Sequence, residues 1–199
     1  MRFQRLLDAR YTFVDVETTG LHPKYARVVE VACIVVEHRR TIAGFETLID
    51  PGFPIPRHAT EIHGITDACV FGKPLLENVR SELSAHCDEA TVVAHNAPFD
   101  LSFLPFLQCR PVVCSYRLAS RVAPHAPNHK NQTLRRFFNV KDPALRGRRA
   151  HRAMADVIVT RHVFFKCLER YLAQGYRDDH AALLEFLHTP RNVDLPKSA

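Results

Sequence analysis

Acidic residues that could hold a metal ion fall in three separate segments of this 199-residue chain. Asp15 and Glu17 occupy alternate positions of the segment VDVETTG, so a β-strand would project both carboxylates from one face. Asp100 ends the segment HNAPFD, and His151 and Asp156 begin and end the segment HRAMAD. Hard divalent cations prefer clustered carboxylates, and a histidine can accept a proton near neutral pH. These residue types together suit metal-assisted acid–base chemistry.

Each segment also has an ordinary structural explanation when it is considered alone. Acidic residues at the end of a strand can be solvated, and Asp100 in the first turn of a helix would be stabilised by the helix dipole, an effect of only ~0.3–1 kcal/mol. Asp156 can be an exposed position between core residues, and His151 is one of twelve histidines. Because all three segments stand where a strand ends or a helix begins, we expect them to converge on one edge of a sheet.

The elements that position these segments follow from hydrophobic periodicity. Short apolar, β-branched runs predict strands at residues 11–16, 28–36, 41–49, 91–95 and 111–115. Helical periodicity predicts helices at residues 75–87, 99–108, 115–122, 134–139, 153–172 and 179–188. The charged residues 37–40 predict a hairpin, whereas residues 51–74 are expected to be mostly irregular and residues 123–132 to form a loop. Strands that come first as a hairpin and then interleave with helices favour an α/β domain with a mixed sheet between helices.

Composition narrows the classes of partner and compartment. The net charge of +6 and the pI near 9.2 fit a polyanionic partner such as nucleic acid, although many basic proteins bind none. The six cysteines form no CxxC pair and no zinc-like pattern with histidine. The N-terminal residues MRFQRLLDAR lack the apolar stretch of a signal peptide, and no segment approaches the ~20 apolar residues that span a bilayer. We therefore expect no membrane association and a cytoplasmic location.

The three acidic segments resemble the exonuclease motifs of the DEDDh family, the RNase T-like or DnaQ-like 3′→5′ exonucleases. VDVETTGL, HNAPFD and HRAMAD occur in the family's order, and EIHGITD and VVCSYRLASRVAP resemble the segments between them. The resemblance spans residues 11–173 and is greatest to the branch of proofreading epsilon subunits of bacterial DNA polymerase III. It implies an RNase H-like mixed β-sheet flanked by helices. The exonuclease domain would then occupy residues 1–188, with residues 189–199 as a C-terminal tail.

The resemblance also implies a mechanism with two divalent cations, Mg²⁺ or Mn²⁺. Asp15, Glu17 and Asp156 would bind one cation, and Asp15 would bridge to a second that Asp100 holds directly or through water. Two ions ~3.5–4 Å apart can stabilise both the attacking and the leaving oxygen of an in-line displacement at phosphorus. His151 would take the proton from the attacking water, because a histidine with an ordinary pKa of ~6.5 suits this role near neutral pH.

Contacts with the substrate are implied for residues around these motifs. The expected contacts to the terminal nucleotide come from Thr18, Thr19, Gly20, Leu21, His63, Asn96 and Phe99. Phe99 can equally be a core residue at a helix start, and His63 can equally cap a turn. Four arginines surround His151, namely Arg146, Arg148, Arg149 and Arg152. They could bind phosphates of the strand or form a solvated charged face.

The implied activity is hydrolysis at the 3′ end of single-stranded DNA, with release of nucleoside 5′-monophosphates. The VETTG form of the first motif favours DNA over RNA, but an exoribonuclease of the oligoribonuclease or tRNA-trimming type stays an alternative. A DNA polymerase subunit is one implied partner. Cys114 stands where relatives of that branch often carry an acidic residue, and the tail has no obvious clamp-binding segment, so a stand-alone enzyme is equally open. A non-catalytic nucleic-acid-binding module is disfavoured, because all five catalytic positions are present.

Overall fold

A five-stranded mixed β-sheet organises residues 5–190, the part of the chain that the computed structural model describes. The strands are β1 (Tyr11–Thr18), β2 (Val28–Glu37), β3 (Arg40–Leu48), β4 (Thr91–Ala94) and β5 (Val112–Cys114). Their order is β3-β2-β1-β4-β5, in which β1, β2 and β3 are antiparallel and β4 and β5 run parallel to β1. The predicted mixed sheet and hairpin are confirmed. The predicted first strand was too short, because Glu17 and Thr18 still pair with β2.

Helices cover both faces of this sheet. They are α1 (Arg57–His63), α2 (Asp67–Val70), α3 (Leu76–His86), α4 (Ala97–Phe103), α5 (Ser115–Val122), α6 (Asn131–Phe137), α7 (Ala153–Ala173) and α8 (His180–His188). Helices α3, α5, α7 and α8 confirm the predicted helices within one or two residues. None of the helices in residues 5–190 is long and apolar enough to cross a membrane. Residues 191–199, most of the predicted tail, lie outside the described residues.

One local prediction was incomplete and two were wrong. Residues 51–74 are not irregular throughout, since they contain α1 and α2; Pro56 before α1 and the left-handed Gly64 after it are the boundary signals that marked α1. The helix expected at residues 99–108 begins earlier, because Pro98 is tolerated in a first turn, and ends at Phe103, ahead of Pro105. Helix α6 begins at Asn131, inside the predicted loop, and ends before residue 139.

Strand β1 divides its side chains between two cores. Tyr11 and Phe13 face α7, where their rings lie 4.8 and 5.4 Å from that of Phe164. The alternate residues Val14 and Val16 pack on the opposite face, against α3 and α4. Every second residue of a strand points to the same face of the sheet. Residues 15 and 17 therefore point to the α7 face, as Tyr11 and Phe13 do, but they lie beyond the end of the aromatic core. These are the positions of the first acidic pair.

Candidate active site

Three of the predicted metal ligands converge where β1 meets the start of α7. Asp15 and Glu17 extend from β1, and Asp156 lies in the first turn of α7, which packs on the same face of the sheet. One carboxylate oxygen from each residue lies within 4.8 Å of the other two. This spacing lets a single cation contact all three side chains.

Asp100 joins the cluster from α4. Its Oδ1 accepts a hydrogen bond of 3.3 Å from the backbone N–H of Val16, between the two acidic residues of β1. Its Oδ2 is buried and has no hydrogen-bond partner among residues 5–190. A buried carboxylate oxygen without a partner costs free energy, which a nearby cation would recover. The four carboxylates therefore fit a site for divalent cations.

Burial and mutual repulsion raise the pKa values of these carboxyl groups. The pKa of Asp15 lies well above its ordinary value, mainly because of burial and then because of the charges of Asp100 and Asp156. Part of the Asp15 surface is accessible, but protein atoms crowd its carboxylate. Burial is also the largest cause that raises the pKa values of Glu17 and Asp100 to about 8. Positive charge placed among these groups would favour their ionised forms.

Asp156 is oriented by two hydrogen bonds, one to each oxygen. Gln132 of α6 donates from Nε2 to Oδ1 at 2.6 Å, and the backbone N–H of His151 donates to Oδ2 at 2.9 Å. Asn131 donates to the main-chain oxygen of Asp156 and to the hydroxyl of Thr160, which fastens α6 to α7. The sequence reasoning did not identify Gln132 or Asn131. Their only signal was a pair of amides at the start of a short helix.

His151 lies on the turn before α7, as predicted, and its side chain is exposed. Its φ of 58° is in the left-handed region, which is uncommon for a residue other than glycine. With Asp15 and Asp156, His151 lines a cavity of about 320 Å³. The other lining residues come from the end of β4 and from the start and body of α6; they are His95, Lys130, Asn131, Gln132, Thr133 and Arg136.

A buried ion pair attaches the start of α7 to the sheet. Glu30 in β2 is 1% exposed and accepts hydrogen bonds of 3.0 Å from Arg152 Nε and of 2.8 Å from the backbone N–H of Ala153. Glu30 is paired with Glu17 in the β1–β2 register, so Arg152 compensates a charge next to the acidic cluster. Arg148 is also bound to a carboxylate, that of Glu46. Two of the four arginines around His151 therefore form ion pairs within the protein, and of these only the pair of Arg152 has a buried carboxylate.

The loop after β1 was predicted to contact the terminal nucleotide, and it adjoins the acidic pair. The Thr18 hydroxyl donates to the Gly20 carbonyl at 2.7 Å, and the Thr19 hydroxyl accepts from the Arg27 N–H at 3.0 Å. These two hydroxyl groups therefore stabilise the loop. Leu21 at its tip is 77% exposed.

The other residues predicted to contact the nucleotide differ in exposure. His63 is buried, and its Nδ1 accepts from the Ile65 N–H at 3.0 Å. Its Nε2 lies near the backbone of Thr18 but makes no complete hydrogen bond to any of the described residues. Burial lowers the pKa of His63 and favours the neutral ring. Asn96 is exposed and has a left-handed backbone, with φ of 72°. Phe99 packs on Phe103 with ring centroids 5.2 Å apart, so core packing accounts for part of its role.

His95 is a site residue that the sequence reasoning missed. Its Nε2 donates to the carbonyl of His129 at 2.8 Å, since a carbonyl oxygen can only accept, and its Nδ1 then accepts from the Ser115 hydroxyl at 2.8 Å. Burial lowers the pKa of His95 to about 4, so the ring is neutral at physiological pH. These bonds connect the end of β4 to α5 and to the loop that leads into α6.

Comparison with known proteins gives matches over most of the chain. A family model described as "Exonuclease" matches residues 12–164. The DNA polymerase III PolC-type protein of Halalkalibacterium halodurans is 33% identical over 172 residues, which cover 82% of this chain and 12% of that protein. The DNA polymerase III subunit epsilon-like protein of Rhodobacter capsulatus is 34% identical over 188 residues, which cover 88% of this chain and 26% of that protein. The chain thus spans only a minor part of these relatives.

Solved structures share the same fold. A structure of exonuclease X in complex with 5′ overhanging duplex DNA has a TM-score of 0.70 and 27% sequence identity, and the match covers 84% of this chain and 95% of that one. The zinc-bound E. coli ExoI–ssDNA complex has a TM-score of 0.67 at 18% identity, covering 84% of this chain and 43% of that one, and this likeness shows the fold alone. The RNase H-like architecture is therefore confirmed. From the match to the family model and the two curated relatives, the chain belongs to the exonuclease family of RNase T-like, or DnaQ-like, nucleases.

Proposed function

We propose that the protein is a metal-dependent 3′→5′ exonuclease that acts on single-stranded DNA and releases nucleoside 5′-monophosphates. The observation that carries this proposal is the convergence of Asp15, Glu17 and Asp156, with Asp100 beside them, together with the cavity that Asp15, Asp156 and His151 line. All of these side chains stand in a chain of the exonuclease family. A structural neighbour supports a DNA substrate, since exonuclease X, at 27% sequence identity, was solved in complex with 5′ overhanging duplex DNA.

The four carboxylates would hold two divalent cations, Mg²⁺ or Mn²⁺. When bound, the cations would offset the negative charge of the scissile phosphate, of the attacking oxygen and of the leaving oxygen. Asp15 would contribute to both cations, because its carboxylate lies within 4.8 Å of that of Asp156 and because Asp100 is hydrogen-bonded to the adjacent residue, Val16. Asp156 enters this set with its orientation fixed by Gln132 and by the backbone of His151.

The proton movement would depend on His151. Its exposed side chain lines the same cavity as Asp15 and Asp156, where it can accept a proton from the attacking water. The water oxygen forms a bond to phosphorus, and the bond from phosphorus to O3′ of the preceding nucleotide breaks. The departing O3′ takes up a proton from solvent water, so the shortened strand ends in a 3′ hydroxyl, and the released nucleotide keeps the phosphate.

The terminal nucleotide would lie against the loop after β1 and the start of α4. This placement is supported by the exposed Leu21 in the loop and by the ring N–H of His63, which makes no complete hydrogen bond within residues 5–190. The loop residues Thr18, Thr19 and Gly20 would shape the pocket through the hydrogen bonds between them and to Arg27, with Asn96 and Phe99 on its other side. The epsilon-like relative supports a DNA polymerase subunit as partner.

Matched DNA and RNA oligonucleotides of one sequence, labelled at the 5′ end, test the substrate. We expect faster shortening of the DNA with Mg²⁺ or Mn²⁺, and no shortening by Asp15→Asn protein prepared in the same way. Faster shortening of the RNA would assign the protein to RNA processing. Tight binding of either strand without cleavage would indicate a non-catalytic binding module.

A further inference from the structure

The cavity that Asp15 and Asp156 line has a second wall of opposite charge. Lys130, directly before α6, and Arg136, within α6, are the lysine and arginine side chains among its lining residues. Both side chains are exposed. The acidic wall, formed by Asp15 and Asp156, thus faces the same space as the positively charged side chains of Lys130 and Arg136.

This basic wall has a fixed position relative to the carboxylates. Helix α6 is fastened to α7 by Asn131, which bonds to Asp156 and Thr160, and by Gln132, which bonds to the Asp156 carboxylate itself. Six residues of helix correspond to ~9 Å of rise, so Lys130 and Arg136 bracket the face that borders the cavity. Any group bound between them would be held at a constant distance from the acidic cluster.

Lys130 and Arg136 also differ in their ion pairing from other basic residues near the site. Arg152 and Arg148 are bound to Glu30 and Glu46. Among residues 5–190, neither Lys130 nor Arg136 has a carboxylate within salt-bridge distance. A cluster of carboxylates repels the phosphates that flank a scissile bond. Unpaired lysine and arginine side chains at the same cavity offset this electrostatic repulsion.

We propose that Lys130 and Arg136 form a phosphate subsite that binds a backbone phosphate of the strand adjacent to the scissile one. The inference rests on the proposed function, because the scissile phosphate must lie at the carboxylates. Contacts to backbone phosphates position a strand without reading its bases, so this subsite would be independent of sequence. Its ligand is a polynucleotide strand, and a substrate with a single phosphodiester would not reach it.

The first test measures affinity without hydrolysis. Binding of a fluorescein-labelled oligothymidylate is followed by anisotropy in EDTA at several salt concentrations. The double variant Lys130→Ala/Arg136→Ala is expected to bind the strand roughly tenfold more weakly for each basic side chain removed. The slope of log affinity against log salt should fall by about 0.7 for each phosphate of the single strand that the variant leaves without a cation. The matched control, Lys166→Ala/Arg177→Ala, removes the same charges outside the cavity.

The second test separates strand binding from a general loss of structure. The p-nitrophenyl ester of thymidine 5′-monophosphate contains one phosphodiester, whereas oligothymidylate contains many. With Mg²⁺, the cavity double variant should lose at least about ten times more kcat/KM on the oligonucleotide than on the ester, mainly through KM. The control double variant should keep both activities, and thermal melting should show that all the proteins are folded.

Two results would overturn the subsite. One is an equal effect of the cavity and control variants on affinity and salt slope, and the other is an equal loss of activity on the ester and the oligonucleotide. If the wild-type protein cleaved neither substrate and did not bind the strand, the proposed function and the subsite would fail together. Normal wild-type cleavage with either of the first two results would remove the subsite alone.

Discussion

Asp15, Glu17 and Asp100 bind protons more tightly in the folded chain than in an unfolded one. Burial is the largest cause for each residue, and it raises the pKa values of Glu17 and Asp100 to about 8. In an unfolded chain the same carboxyl groups lose their protons near pH ~4. Their stabilising contribution is thus complete below about pH 4 and is lost as the pH rises to about 8. We predict that the melting temperature in EDTA falls between about pH 6 and about pH 8.

Asp15→Asn is the matched variant for this prediction, because the amide keeps the shape of the side chain and removes its charge. In EDTA at about pH 8 the variant should melt at a higher temperature than the wild type, with a weaker dependence on pH. Mg²⁺ or Mn²⁺ should raise the wild-type melting temperature more than that of the variant. A wild-type melting temperature in EDTA that rose toward about pH 8 would contradict repulsion within the cluster.

His151 should affect the rate of hydrolysis far more than the affinity for metal. Its backbone N–H, not its side chain, bonds to Asp156, so a substitution leaves that bond in place. Loss of a positioned base typically lowers the rate by ~10²–10⁴-fold, and we expect this for His151→Ala. Because φ is 58° at this position, His151→Asn is a useful second variant, since Asn tolerates a left-handed backbone. Calorimetry measures the affinity for Mn²⁺, and steady-state kinetics measures kcat. A parallel loss of Mn²⁺ affinity and of kcat would remove the general-base role of His151.

At the scale of elements, the position of α7 relative to β2 sets the geometry of the acidic cluster. Asp156 comes from the first turn of α7, and that turn is joined to the sheet by the bonds from Arg152 and Ala153 to Glu30. Glu30 is 1% exposed, so it would be left as a buried charge with one backbone partner if Arg152 were removed. The ion pair therefore contributes both to stability and to the placement of Asp156, the proposed metal ligand.

Arg152→Ala should lower the free energy of unfolding by about 3 kcal/mol, the low end for removing one partner of a buried pair, since Arg152 is itself 37% exposed. Arg148→Ala is the matched control, because its pair with Glu46 is 38% and 30% exposed, and it should cost less than ~1 kcal/mol. Urea denaturation in EDTA measures both values. Equal losses in the two variants would show that the Glu30–Arg152 pair does not secure α7.

The sequence predicted elements and site residues where the signal was local. Asp15 and Glu17 could be identified because their spacing matches the period of a strand, and α7 could be identified from its long apolar pattern. Gln132 and Glu30 could not, because their importance arises from contacts with residues 24 and 122 positions away along the chain. Helix α1 was missed although Pro56 and Gly64 marked its ends, since proline and glycine also suggest a loop.

At the scale of the whole molecule, one sheet edge unites segments that are far apart in sequence. The α7 face of β1 contributes Asp15 and Glu17, α7 contributes Asp156, and α4 contributes Asp100 from the side of the second core. Helix α6 closes the cavity with a wall of amide and basic side chains. The aromatic core under β1 and the parallel strands β4 and β5 hold the segments that bear the acidic residues in place. The fold can therefore tolerate a repulsion between carboxylates that would destabilise an isolated element.

Metal-dependent hydrolysis from a free 3′ end can be tested by comparing two end labels on one single-stranded DNA. With Mg²⁺, the strand labelled at its 5′ end should shorten as a ladder, whereas the strand labelled at its 3′ end should release labelled nucleoside 5′-monophosphate from the first turnovers. Excess EDTA should stop both reactions, and added Mg²⁺ should restore them. Undiminished cleavage in EDTA, or efficient cutting of a closed circular single strand, would contradict the account.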